Sequence, residues 1–457
     1  SVAMVISAIN ALSLSPALCA LVLTRRGAPR GLMAKLQKGL DRTRDGYLRL
    51  AGPLIRRSVL AVGLVAACAL ATGGLARLVP TGFLPNEDQS SFMAEIQMPD
   101  AASTSRTLEA VVEVETLLKG QPWLQNVFTV SGTSLLDGLN LPSRAMMIVA
   151  LKPYAERTRP EDSVFAILEK LNEAFRRLAT ADVIAFNPPP IAGLSNTAGF
   201  ELEVQSTTGA APEEIAAVAQ GVVNAAQAAP ELAGVFTTYS AATPQIRLDL
   251  DRDRAETLGI EIPQIFSALQ TAMGSRNVNN FNMFGRTWTV RVQADAADRR
   301  TIDDLKRVRL RAKSGKLVPL QAVASVELTT APSSIVRYNN LRSVTLNGAP
   351  APGFSSGEAL AAMERVARAS LPPGYRFSWS GTALQEKEAG GQAGFILALS
   401  VLFAYLFLVG LYESTALPVA ALLSVIVGVL GAFAALWLTG LDNNIYAQIG
   451  IVVLIAL

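Results

Sequence analysis

The chain has 457 residues, 50% of them hydrophobic and only 17% charged, too apolar for an ordinary soluble protein and suited to a mixture of bilayer and water-exposed parts. Its net charge of +3 is nearly balanced and marks no nucleic-acid partner. With no histidine and two cysteines it lacks the usual general base, the Ser-His and Cys-His nucleophile pairs, the commonest metal ligand and any disulfide framework.

Four apolar stretches reach the roughly 20 residues that a bilayer crossing needs: Ser1 to Thr24, Ser58 to Ala76, Ala389 to Tyr412 and Ser414 to Leu441. Cys19 and Cys68 lie inside the first two and read as small hydrophobes. The chain opens within one span and stops within another, Asn443 to Leu457, that is too short to cross. Without an initiator Met, a basic leader or a small-residue cleavage site, the first span does not read as a signal peptide, and the chain is expected to be an internal piece of a longer protein.

The link between the first two spans, 25–57, carries Arg25, Arg26, Arg30, Lys35, Lys38, Arg42, Arg44, Arg49, Arg56 and Arg57 against only Asp41 and Asp45. Short loops rich in Lys and Arg stay on the cytoplasmic side, which puts the long polar region after the second span outside. Within the link Leu32, Met33, Leu36, Leu40, Tyr47 and Leu48 recur at helical spacing, predicting an amphipathic helix on the membrane surface, with a solvated connector as the alternative.

Beyond the second span, apolar spacing and capping signals predict strand, helix, strand twice over. Ser91 to Met98 is expected to be extended, Ser103 to Leu118 helical, Leu124 to Val130 and Arg144 to Lys152 extended, Glu161 to Leu178 helical and Val183 to Phe186 extended. Pro160, Glu161 and Asp162 suit the positive end of the second helix. A similar order follows Pro188, Pro189 and Pro190, with Phe200 to Gln205 extended, Pro212 to Gln227 helical, and Val235 to Tyr239 and Gln245 to Leu250 extended. It completes with Ser343 to Leu346 extended, Ser356 to Ala369 helical and Tyr375 to Ser380 extended. The pattern predicts an α+β membrane protein in which transmembrane α-helices flank two split βαβ units of ferredoxin-like order, an internal duplication. The second unit is interrupted by about 80 residues, Asp251 to Thr330, too many for a structureless loop. Two unrelated α+β domains would show the same order.

No segment cradles phosphate: Ser314, Gly315 and Lys316 lack the preceding glycine, the following hydroxyl and the strand-to-helix context. With no dinucleotide fingerprint, paired-cysteine zinc site or nucleophile elbow either, enzymatic chemistry, ATP use, a metal site and a bound cofactor are not expected. Met93, Met98, Met146 and Met147 fall in strands of the first unit, where thioethers suit Cu(I) but more commonly act as flexible fillers.

Phe83, Leu84, Pro85, Asn86, Glu87, Asp88 and Gln89 follow the second span, and the segments Ser15 to Ala20, Thr243 to Gln245, Gly410 to Ser414 and Asn444 to Gly450 are spread along the rest. In these segments, across essentially its whole length, the chain resembles the resistance-nodulation-division family of bacterial efflux transporters, in its hydrophobe and amphiphile branch of multidrug exporters. The resemblance implies a piece running from the sixth to the tenth helix of a twelve-helix protein in the inner membrane of a Gram-negative bacterium. It implies membrane helices at 1–24, 58–79, 389–412, 414–440 and 443–457. It also implies periplasmic porter subdomains at 80–187 and at 188–250 with 331–385, and a docking subdomain at 251–330. The family further implies a proton-driven homotrimer that moves amphiphilic drugs with a periplasmic adaptor, or membrane fusion protein, and an outer-membrane channel.

By the same resemblance Met93, Phe128, Val130, Thr133, Leu135 and Ile148 would line a deep drug pocket, and Ile184 and Phe186 an outer pocket. Adaptable apolar and aromatic surface suits the capture of varied apolar compounds, the alternative being that these residues fill the subdomain core. The stretch from Gly132 to Ser143 stands where the family has a glycine-rich switch loop, here with Gly132, Leu136, Asp137, Gly138 and Pro142. Fewer glycines and a proline stiffen it, and the family's phenylalanines are missing from it. The family's proton-carrying aspartates and their lysine partner are expected outside this chain, leaving Asn10 and Gln448 as buried polar residues near the spans. Two competing readings are Cu(I) or Ag(I) export through the methionines and a membrane-bound ligand sensor.

Overall fold

The computed structural model describes residues 2–22 and 32–456. The chain divides into two compact units, one comprising Ser1–Val79, Leu399–Leu441 and Ile451–Leu457, the other Pro80–Ala398 and Asp442–Gly450.

The first unit begins with α1 (Val2–Ile9) and α2 (Ser15–Val22), joined by a π-helical turn at Asn10–Leu14. Asn10 sits on that turn and is exposed rather than buried as expected. Of the basic link, Arg25, Arg26 and Arg30 lie outside the described residues, and α3 (Leu32–Arg56) is a single helix of 25 residues. Leu40, Tyr47 and Leu48 are exposed along it, while the side chains of Leu32, Met33 and Leu36 lie outside those described. Arg44 draws in both link carboxylates, at 3.1 Å from Asp41 and 2.8 Å from Asp45. After it α4 (Ser58–Leu78) is apolar on all sides, the signature of a helix surrounded by lipid or by other helices.

The second unit opens with β1 (Ser91–Gln97), α5 (Thr104–Leu118), β2 (Leu124–Ser131), β3 (Arg144–Leu151), α6 (Val164–Phe175) and β4 (Asp182–Phe186). The strands form an antiparallel sheet in the order β2-β3-β1-β4. Ser103 caps α5 by accepting from the Arg106 N–H, and Ser163 caps α6 by accepting from the Ala166 N–H. That second cap splits the helix expected from Glu161: Pro160–Asp162 becomes a separate 3-10 turn and the α-helix starts at Val164. Phe92, Ala94, Ile96, Met147 and Val149 point to the helices and pack with Val111, Val114, Ile167 and Phe175.

The following half holds β5 (Phe200–Ser206), α7 (Pro212–Ala226) and β6 (Leu232–Phe236). The chain then leaves along β7 (Thr243–Leu250) through α8 (Arg252–Thr257), α9 (Ile262–Leu269), the hairpin β8 (Arg276–Met283) and β9 (Arg286–Val292), α10 (Ile302–Lys306), β10 (Arg309–Arg311) and β11 (Leu317–Pro319). It returns along β12 (Ala324–Ala331) and finishes with β13 (Arg337–Tyr338), β14 (Leu341–Pro350), α11 (Ser356–Ser370) and β15 (Tyr375–Ser380). Pairing runs β6-β14-β5-β15, repeating the strand order of the first half, with β13 on the edge of β14. Residues repeat as well as order. Phe92, Glu95, Ile96 and Gln97 on β1 correspond to Phe200, Glu203, Val204 and Gln205 on β5. Leu202, Val204 and Leu346 pack with Val222, Leu360 and Met363. Gly348 lies so close beneath the Phe200 ring that a Cβ there would sit 2.4 Å from it.

Two expectations for this half are corrected. The strand predicted at Val235 to Tyr239 lies three residues earlier, at Leu232–Phe236, because a bulge between Asn347 and Ala349 shifts the pairing with β14 and Gly234 takes a φ of +57°. The segment Gln245 to Leu250 is extended as predicted but does not join the five-stranded sheet. It pairs with β12 from Thr243 opposite Ala331 to Leu250 opposite Ala324, forming a two-stranded stem for the insertion. The insertion has its own small core around Ile265, Leu310, Leu320 and Val323.

From β15 the chain enters α12 (Gly381–Tyr412), then α13 (Leu417–Thr439) and α14 (Ile445–Ala456). Among the described residues Val59–Leu78, Gly394–Tyr412 and Leu417–Thr439 are long and apolar enough to cross a membrane, whereas Ile6–Leu21 and Ile445–Ile455 are apolar but shorter. In the helical unit α13 packs along α4, and Gly428 lets Leu454 of α14 approach to where a Cβ would lie 2.8 Å from it. Gln448 on the first turn of α14 is half-buried, not buried.

Candidate functional site

Successive residues of a strand point to opposite faces, so the residues of β1 that alternate with the core set, Met93, Glu95 and Gln97, emerge on the side of the first sheet away from its helices. The register then lines up Phe128, Ile148, Met93 and Phe186 in one row across all four strands. Val130, Met146, Glu95 and Ile184 form the next row. Residues directly opposite across a sheet are in contact distance, so each row is a continuous strip. Six of the predicted pocket residues therefore share one open, mostly apolar face. They do not fill the core, and Phe128 on the edge strand is 60% exposed. The methionines divide between the two sides: Met98 and Met147 are buried in the core, while Met93 and Met146 stand in adjacent rows of the open face.

Glu95 is the exception in that face, only 2% exposed and unanticipated in the sequence. Its carboxylate accepts from Ser134 Oγ at 2.5 Å and from the N–H groups of Leu135 and Leu136 at 2.9 and 3.0 Å. Burial pushes its pKa above the ordinary carboxylate value; the donors from Ser134 and Leu136 oppose the shift and Asp137 adds to it. The loop from Gly132 to Ser143 is thus tied down from beneath. Ser134 N–H closes it on Leu139 O at 2.8 Å, Thr133 Oγ1 donates to Asn140 Oδ1 at 3.2 Å, and Thr107 Oγ1 donates to Pro142 O at 2.7 Å. Gly132 and Gly138 adopt φ of +89° and +64°, which glycine reaches without strain. Across the molecule Thr238 Oγ1 donates to Asp137 Oδ1 and Asn196 Nδ2 donates to Leu136 O, both from the second half.

The equivalent face of the second sheet is polar and largely buried. Glu201, Glu203 and Gln205 on β5 lie opposite Asn347, Thr345 and Ser343 on β14 and Ser380, Ser378 and Arg376 on β15. Glu203 is 5% exposed and accepts from Thr345 Oγ1 and Ser380 Oγ, and its carboxyl is pushed upward first by burial and then by the neighbouring Glu201. The repeated glutamate at the fourth place of Phe-x-x-Glu in both central strands was the available sequence signal.

Between the halves a cleft of about 610 Å³ is walled by Ile184 and Phe186 with Phe165 on one side, and by Val235, Phe236 and Asn347 on the other. A smaller cavity of about 130 Å³ lies between the loop residues Leu136, Asp137 and Leu141 and the second-half residues Tyr239, Val344 and Thr345. Met93, Phe128, Val130, Thr133, Leu135 and Ile148 line neither of these two cavities. The segment from Phe83 to Gln89 ties the two halves together at their base. Asn187 Nδ2 donates to Glu87 O, Gln89 Nε2 to Pro189 O, and Phe83 N–H to Ser356 Oγ. Asp88 pairs with the buried Arg157 at 3.0 Å and also accepts from Val164 N–H at the start of α6. Burial opposes its charge, but Arg157 and two backbone N–H groups outweigh that and hold the carboxyl below the ordinary value.

Helices of membrane-crossing length joined to a duplicated α+β region, whose first sheet carries a mostly apolar face, define an integral membrane protein of mixed helix and sheet. The AcrB/AcrD/AcrF family matches residues 1–457, the entire chain, and the chain belongs to that family. It is 36% identical to the multidrug/solvent efflux pump membrane transporter MepB of Pseudomonas putida and 35% identical to a toluene efflux pump membrane transporter, TtgB, from the same species. It is 33% identical to the multidrug resistance protein MdtF of Escherichia coli. These alignments cover 99 to 100% of the chain but 44% of each relative, so the chain spans less than half the length of the curated relatives it matches. The resistance-nodulation-division resemblance accordingly holds along the full chain.

Proposed function

We propose that this chain is the porter-bearing part of a proton-driven exporter of amphiphilic and hydrophobic compounds in the inner membrane of a Gram-negative bacterium. The two duplicated halves act as ferredoxin-like porter subdomains in the periplasm, their common strand order supporting that assignment. The insertion acts as the docking subdomain toward an outer-membrane channel, and α3 as the cytoplasmic amphipathic link. The whole protein works as a homotrimer with a periplasmic adaptor.

One observation carries this reading: the row Phe128, Ile148, Met93 and Phe186 forms an apolar strip on a sheet face that no core covers, and its Phe186 end opens into the cleft. A contiguous apolar strip that is half-buried along its length and exposed at Phe128 suits binding rather than core packing. On it Met93, Phe128, Val130, Ile148, Ile184 and Phe186 contact substrate, with Thr133 and Leu135 of the switch loop at its margin. The relatives named as solvent, toluene and multidrug pumps support the same substrate chemistry. Copper or silver export is disfavoured because two of the four methionines are locked in the core.

The full-length protein, expressed in a host stripped of its own exporters, is expected to lower accumulation of an amphiphilic dye, and collapsing the proton gradient is expected to restore it. Unchanged accumulation of every dye and detergent tested sinks the proposal.

A further inference from the structure

The two halves are joined by a clasp built on two carboxylates of the central strands, Glu95 of β1 and Glu201 of β5, the latter two residues before Glu203, the residue that matches Glu95. Glu95 on β1 holds Ser134, Leu135 and Leu136 through the three bonds already described. Glu201 on β5 holds the neighbouring loop in the same manner, its Oε1 accepting from Ser195 Oγ at 2.5 Å and from Asn196 N–H at 3.0 Å. The two loops then meet, Asn196 Nδ2 donating to Leu136 O at 3.0 Å. Beside this link Asp137, whose own N–H is held by Ser134 Oγ at 3.0 Å, accepts from Thr238 of the second half. Room for the second carboxylate is kept by Gly381, which has a φ of +57° and would place a Cβ 2.9 Å from Glu201 Oε2. Glu95 therefore spends its acceptors on its own loop, Glu201 gives its Oε1 to the other loop while Ser380 Oγ donates to its Oε2 at 3.5 Å, and the loops bridge the halves.

We propose that Glu95 and Glu201 are positioning residues that present Leu136 and Asn196 to each other, and so set how far the cleft between the two halves opens. The clasp rests on the reading of that cleft as a substrate path only for its consequence, not for its existence. A carboxylate bonded to backbone N–H groups makes strong, directional hydrogen bonds, so loss of its acceptor chemistry frees a loop in a way that loss of its bulk does not.

The test uses the full-length protein on a background free of other cysteines, with Leu136→Cys, which keeps the Leu136 backbone groups, and Leu194→Cys, which leaves Asn196 in place, joined by a flexible thiol-to-thiol cross-linker. Glu95→Met keeps the length and removes the acceptors; Glu95→Gln keeps one acceptor oxygen. Cross-linking is expected to slow about tenfold with Glu95→Met, as loss of a charge-assisted hydrogen bond implies, and to recover to within a few-fold with Glu95→Gln. Parent-like cross-linking with Glu95→Met overturns the clasp, as does recovery by Met but not Gln, which would mark Glu95 as packing alone. If Glu95→Met does not fold, the pair Glu201→Met and Glu201→Gln makes the same comparison from the other end, and there an unchanged rate with Met is fatal. Cross-linking needs no transport, so a protein that exports nothing would sink the proposed function while leaving this result to stand or fall by itself.

Discussion

The two halves of the second unit share strand order, helix placement and a Phe-x-x-Glu-hydrophobic-Gln central strand, yet the sheet faces turned away from their helices carry opposite chemistry. The open face of the first is a strip of Phe128, Ile148, Met93, Val130 and Ile184 around one glutamate. The corresponding face of the second, largely buried, is Glu201, Glu203, Gln205, Thr345 and Ser380. Core-facing residues in both are equally apolar, so the duplication preserved what folding needs and released what the outward face does. A sheet tolerates this because the two faces alternate along each strand and are chosen independently. The first half thus turns a mostly apolar face away from its helices, while the second carries hydroxyl and carboxylate groups that grip loops and its own strands.

The largest expected effect is on the anchoring of the first half. Asp88 and Arg157 have side chains only 15% and 2% exposed, and breaking such a pair leaves a charge buried alone. Asp88→Asn is expected to destabilise the region by about 3–5 kcal/mol, read as a fall in the unfolding temperature of the solubilised full-length protein. A change within the noise would show that the first half does not depend on this pair.

The matching core position in the second half comes next. Leu202 is fully buried, and Leu202→Ala is expected to cost about 2–5 kcal/mol by leaving a cavity beneath Phe200 and Leu346. Its effect should fall on the same unfolding transition as Asp88→Asn if the halves melt together, and on a separate one if they do not.

A smaller effect concerns the polar face and has a definite sign. The Glu203 carboxyl is raised above its ordinary value of 4.5, chiefly by burial, so the folded state prefers it protonated. The stability this group contributes is complete below 4.5 and is lost as pH rises through its folded value. Glu203→Gln, which cannot ionise, is therefore expected to gain on the parent in unfolding temperature from pH 4.5 toward neutral. A constant difference across that range would mean the carboxylate is better solvated than its position indicates.

The least effect on stability and the most selective effect on function belong to Phe128. At 60% exposure on an edge strand, Phe128→Ala is expected to change stability by less than about 0.5 kcal/mol. It should nevertheless raise cellular accumulation of an aromatic amphiphile, because the exposed ring is the outer end of the apolar strip. Equal loss of export for aromatic and aliphatic amphiphiles would break the distinction drawn between the two faces.

Much of this was legible beforehand because local signals agree with the fold. Ser103 before an apolar helical pattern produced a capped α5, and the alternation from Ser91 to Gln97 produced β1. The failures have identifiable causes. Ser163 offered a better helix start than Pro160, so α6 begins late. Gly234 and the bulge opposite it moved β6 by three residues. The segment Gln245 to Leu250 was read correctly as extended, but its partner β12 lies about 80 residues away, and no local pattern names a partner at that distance. Glu95 escaped notice for a related reason. A lone glutamate in a strand resembles an ordinary solvated residue until the loop that covers it is in place.

The sequence by itself determined the three membrane-length helices found among the described residues, the duplicated order of elements, the apolar residues of one sheet face and the family, because length, periodicity and short motifs are local properties of the chain. Only the tertiary structure decided that those apolar residues share one face away from the core, that β7 serves the insertion and not the sheet, and that Glu95 and Glu201 tie loops across the two halves. These depend on strand register and on contacts between segments far apart in sequence, which are settled by the packing of the whole unit rather than by any stretch of it.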